Sequence, residues 1–168
     1  TSPARSAALT FRSRRHAVCV ASVVVVVGLL LAACQRPAGT LREFEITAAP
    51  ADVPLGEGRI TKMWAYNGTV PGPTLRVRLG DTVRVRFTNH LPQPTTIHWH
   101  GVRVPNAMDG VPGVTQPPVQ PGESFTYEFT PKDAGTFWFH PHVRASEQVE
   151  RGLYGVLVVE DADPPKFA

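Results

Sequence analysis

The sequence predicts an all-β fold, an antiparallel β-sandwich, on three observations. Short segments alternate apolar and polar residues with the period of two that a half-buried strand requires. The 168 residues include 17 Pro and 14 Gly, enough to end many short elements in turns. No segment beyond the first 33 residues sustains the 3.6-residue apolar period of a long amphipathic helix.

The chain opens with an unlike segment. Arg14-Arg15 precedes an apolar run of 17 residues, Ala17 to Ala33, that closes on Leu31-Ala32-Ala33-Cys34. A basic start, an apolar middle and a small-residue end read as an export signal over residues 1–33. A transmembrane helix competes with that reading. The run is at the lower limit for crossing about 30 Å of hydrocarbon, and no basic cluster follows it. Cys19 would leave with the signal, so no disulfide is expected in the mature chain.

The net charge of +3 belongs to this leader, which holds Arg5, Arg12, Arg14 and Arg15 and no acidic residue. The remainder is nearly neutral. Without a basic stripe for phosphates it is no candidate for binding nucleic acid.

After a polar tether at 34–41, residues 42–162 read as one folded domain and 163–168 as the start of a Pro-rich linker. Leu41 to Thr47, Thr74 to Leu79 and Thr82 to Phe87 alternate, with Leu75, Val77, Leu79, Val83, Val85 and Phe87 on the core side. Arg76, Arg78, Arg84 and Arg86 take the wet side. Gly80-Asp81 and Pro71-Gly72-Pro73 supply the turns. Further strands are expected at 95–100, 124–129, 136–140 and 155–160, and one helical turn at 145–151. A Thr first residue and a linker-like end predict a piece of a longer protein.

Histidine carries the chemistry. Four of the five histidines beyond the leader form two pairs, His98-Trp99-His100 and His140-Pro141-His142. Residues i and i+2 of a strand lie on one face about 6.5 to 7 Å apart, so each pair presents two imidazoles together while Trp99 points the other way. A single strand histidine needs no special explanation, but four gathered polar rings need something to satisfy their nitrogens, and a metal ion does so. Imidazole suits zinc, copper, iron or nickel, and the residue types do not choose among them. His90 stands alone near a turn and is expected outside the site.

The stretch from His98 through Gly101 to Asp109-Gly110 resembles the first copper motif of the multicopper oxidases, and Gly135-Thr-Phe-Trp-Phe-His140-Pro-His142 resembles the second. Gln116-Pro-Pro-Val-Gln-Pro-Gly-Glu and Arg151-Gly-Leu-Tyr-Gly-Val-Leu-Val-Val-Glu add to the likeness. The resemblance implies the amino-terminal, plastocyanin-like domain of such an enzyme, with a cupredoxin-like Greek-key sandwich. It implies copper as cofactor, with His98 a ligand of the type 2 centre and His100, His140 and His142 ligands of the type 3 pair. Asp109 would be the acid that assists proton delivery; a plain turn residue before Gly110 is its simpler explanation.

The same resemblance implies partners: a reducing substrate, O2, and further cupredoxin domains that complete the cluster. The family's type 1 site needs a Cys between two histidines, and no His-Cys-His is present. A non-catalytic copper-binding lipoprotein therefore stands as the alternative to an oxidoreductase that reduces O2 to water. Leu31-Ala32-Ala33-Cys34 resembles the lipobox of bacterial lipoproteins, which implies acylation of Cys34 and a membrane anchor at the periplasmic or cell surface.

Overall fold

The computed structural model describes residues 39–56 and 58–161. The expected export signal at 1–33, Cys34, most of the 34–41 tether and the 163–168 linker lie outside the described residues.

Among the described residues, eight strands form two four-stranded sheets. One contains β1 (Leu41–Pro54), β2 (Ile60–Tyr66), β4 (Thr82–Asn89) and β6 (Ser124–Phe129), in the order β2-β1-β4-β6. The other contains β3 (Thr74–Arg78), β5 (His98–His100), β7 (Gly135–His140) and β8 (Gly155–Glu160), in the order β3-β8-β7-β5. The helical turn is α1 (Ala145–Glu150).

The expected sandwich is present, but its sheets are mixed where antiparallel pairing was expected. β1 runs parallel to β4 and β3 parallel to β8, while the other neighbours are antiparallel. The cause lies in the short turn Leu79-Gly80-Asp81. It carries the chain from one sheet to the other, so β3 and β4 do not pair with each other and each takes a neighbour from elsewhere in the chain.

β2 and the second half of β1 have no alternating pattern to announce them. β2 lies at a sheet edge, exposed at Ile60 and buried only over Trp64-Ala65-Tyr66. Pro50 and Pro54 argue against a strand in sequence, but β1 pairs with β4 only as far as Ala48, so beyond it one side of β1 has no partner to miss a proline N–H.

The alternation in the remaining strands does what it predicts. Leu75 and Val77 from one sheet meet Val83, Val85 and Phe87 from the other in the core, while Arg84 lies on the wet face and pairs with Glu128 and Glu43. Trp99 is fully buried, with ring centroids 4.9 Å from Phe129, 5.4 Å from Phe139 and 5.7 Å from Tyr127. Burying one such ring stabilises the fold by roughly 2 to 3 kcal/mol. Its orientation has a second effect: because successive strand residues alternate, seating Trp99 inward turns His98 and His100 to the outer face of their sheet.

Candidate metal centre

Strand register brings the two histidine pairs together. β5 and β7 are antiparallel neighbours in which His98 stands opposite His140 and His100 opposite Trp138. The imidazole centroids of His98 lie 5.8 Å from His100, 5.4 Å from His140 and 5.0 Å from His142. One nitrogen from each of His98, His100 and His140 lies within 4.8 Å of the others. His90 is exposed and belongs to none of these contacts.

The nitrogens are oriented by hydrogen bonds. His98 Nδ1 is 2.7 Å from the Asp109 carbonyl oxygen, and His140 Nδ1 is 2.9 Å from that of Pro141. A carbonyl only accepts, so we assign the proton to Nδ1 in both rings, which puts the lone pair on Nε2. His100 Nδ1 and His140 Nε2 face each other at 3.3 Å. Donors about 2.0 to 2.1 Å from one ion are themselves some 3 to 4 Å apart, so the set needs little adjustment to hold a metal.

Electrostatics favour the metal-binding form of His140. Burial holds its pKa below the ordinary imidazole value, outweighing the upward pull of the Pro141 carbonyl, and the nearby His98, His100 and His142 lower it further. Trp138, 38% exposed, stacks on His140 at 4.0 Å between centroids and fixes the plane of that ring.

Asp109 lies beside His98, its Oδ1 3.4 Å from Nδ1. It follows a single 3-10 turn, Asn106–Met108, and Met108 Sδ accepts the Glu128 amide of β6 at 3.3 Å, tying this loop to the opposite sheet. The next residue, Gly110, has φ +76° and packs so closely on the Ile97 carbonyl that a Cβ would collide with it.

Several contributors carry no sequence signal. Tyr127, its pKa raised by burial, is a neutral phenol whose oxygen accepts the Ile97 amide at 2.8 Å, one residue before His98. Thr96 Oγ1 accepts the His142 amide at 3.2 Å. Gln148 of α1 is wholly buried: its Oε1 accepts the Thr95 hydroxyl at 2.7 Å, and its Nε2 donates to the Pro94 carbonyl at 3.0 Å. In sequence Ser-Glu-Gln-Val-Glu reads as a surface turn, and only a position inferred for the helix face could have singled Gln148 out.

A two-sheet sandwich with an imidazole cluster on its outer face defines a metal-binding module of the cupredoxin kind. The multicopper oxidase family model matches residues 47–164, and the chain belongs to that family. It is 43% identical over 125 residues to copper resistance protein A of Pseudomonas syringae pv. tomato, covering 74% of this chain and 20% of that protein. It is also 43% identical over 120 residues to the multicopper oxidase MmcO of Mycobacterium tuberculosis, covering 71% and 23%. Among solved structures, a multicopper oxidase from Pseudomonas thermotolerans superposes with a TM-score of 0.74 at 53% identity, covering 77% of this chain and 32% of the other. The chain thus spans about a fifth of the length of these curated relatives.

Proposed function

We propose that this chain supplies a histidine half-site for copper in an exported oxidoreductase that couples one-electron oxidation of a substrate to reduction of O2 to water. The observation that carries this reading is the convergence of His98, His100 and His140 on the β5–β7 ladder, with the His142 ring 5.0 Å from His98 just beyond the end of β7, in the residue pattern of the family to which the chain belongs.

His98 and His140 would bind through Nε2, with His100 and His142 completing the domain's contribution. Copper held there supplies the one-electron couple that oxygen reduction needs. Asp109 would assist proton delivery, a role supported by its carboxylate lying beside His98 with a third of its side chain exposed to solvent. His100 and His142 are exposed, which suits a site completed by imidazoles from a further domain. Residues 1–33 would direct export, and acylated Cys34 would anchor the domain at the membrane surface.

The test is copper addition to the 168-residue chain. The expected result is an ordinary Cu(II) EPR spectrum, no intense blue absorption, since no His-Cys-His is present, and no oxygen uptake with a phenol or Cu(I) as reductant. Oxygen uptake by this chain that His98→Ala abolishes would contradict the half-site reading.

A further inference from the structure

The members of the histidine cluster are held unequally. His98, His100 and His140 lie within the β5–β7 ladder, where backbone pairing fixes their separation. His142 does not, because His140 ends β7 and Pro141 follows, removing the N–H with which the ladder would continue. A second set of bonds takes over. Residues 93–96, which lead into β5, are tied to residues 142–148 by Arg144 Nη1 to Gln93 Oε1 at 3.2 Å, by both ends of the Gln148 amide on Pro94 and Thr95, and by the His142 amide on Thr96 Oγ1.

Gln148 is the buried member of this set. Thr95 and Thr96 are likewise fully buried, whereas Arg144 is exposed. A buried amide with both ends satisfied fixes its neighbours closely, since any displacement strands a donor and an acceptor away from water. Thr95 itself is fixed from the other side by paired bonds with Val119, at 3.1 Å and 2.9 Å. The helix that follows His142 is therefore fastened to a rigid segment three residues before His98.

The geometry points to Gln148 as a positioning residue: its side-chain amide, clamped by Thr95 and Pro94, holds the His142 segment so that the His142 imidazole stays 5.0 Å from His98. It touches no ligand. Its role toward copper rests on the half-site reading above, while its role in holding His142 does not.

The test compares Gln148→Leu, Thr95→Val, Thr95→Ser and the native chain, with Val77→Ala as a control that opens a cavity on β3, which carries no histidine. Two readouts are used: the NOE between the His98 and His142 rings in metal-free protein, and Cu(II) affinity by chelator competition. Gln148→Leu and Thr95→Val should lose the NOE and weaken Cu(II) binding about tenfold, the lower end for removing a group that orients a ligand. Thr95→Ser, which keeps the hydroxyl, should restore both, and Val77→Ala should lower Tm alone. If Gln148→Leu does not fold, the Thr95 pair decides. Retention of the NOE and of native affinity in Thr95→Val, with Tm lowered as in Val77→Ala, would overturn the positioning role. Failure of the native chain to bind Cu(II) would count against the half-site alone, and the NOE would still decide for Gln148.

Discussion

Replacing Gly110 by Ala should loosen His98 through the carbonyl of the adjacent Asp109. Gly110 has φ +76°, which costs an alanine about 1 to 2 kcal/mol, and the new Cβ would meet the Ile97 carbonyl. The turn must then back away from β5. A shift of about 1 Å takes the 2.7 Å contact between His98 Nδ1 and the Asp109 carbonyl out of hydrogen-bond range, at a further cost of about 1 kcal/mol. Alanine recovers some 0.5 to 1 kcal/mol by restricting the unfolded chain. The net loss is about 2 kcal/mol, or roughly 8 °C in Tm for a domain of this size.

Cu(II) affinity should fall about tenfold with it, because His98 loses the partner that fixes its free nitrogen. Gly113→Ala provides the contrast. Gly113 has φ +73° but open space where the Cβ would be, so that variant should lose only about 1 kcal/mol and keep its copper affinity. Thermal melts by circular dichroism and chelator competition measure both effects. Equal copper affinities in the two variants would refute the claim that the Asp109–Gly110 turn orients His98.

Other outcomes follow from the same structure. Burial pushes the Asp81 carboxyl up, but the amides of Arg78 and Thr40 and the Arg42 guanidinium outweigh it and hold the pKa below the ordinary carboxylate value. The native advantage over Asp81→Asn is therefore full at neutral pH and is lost as pH falls through the folded-state value, which Tm measured against pH will trace. Trp99→Ala should destabilise by about 3 to 5 kcal/mol in urea titrations, since a fully buried ring leaves a cavity among Tyr127, Phe129 and Phe139. Mass spectrometry of membrane extracts should find a lipid on Cys34, and Cys34→Ala should release the protein from the membrane fraction.

The sequence makes the site's first layer legible because strand geometry is local. A His-x-His pair on a strand must share a face, and an apolar Trp99 between two histidines decides which face is inward. What joins the two pairs is not local. The register that sets His98 against His140 depends on sheet order, and that depends on the crossing between sheets at Gly80, where a simple turn between two strands is all the sequence suggests. The supporting groups are harder still to read. Thr95, Thr96, Tyr127 and Gln148 are ordinary polar residues in sequence and gain their roles only when residues 30 to 53 positions apart meet.

The most direct test of the half-site is the number of imidazoles on bound copper. Pulsed EPR of the Cu(II)-loaded chain should show coupling to imidazole nitrogens that weakens in His98→Ala and His140→Ala and is unchanged in His90→Ala, which alters a ring outside the cluster. A spectrum without imidazole coupling, or one that His90→Ala changes as much as His98→Ala, would contradict the account.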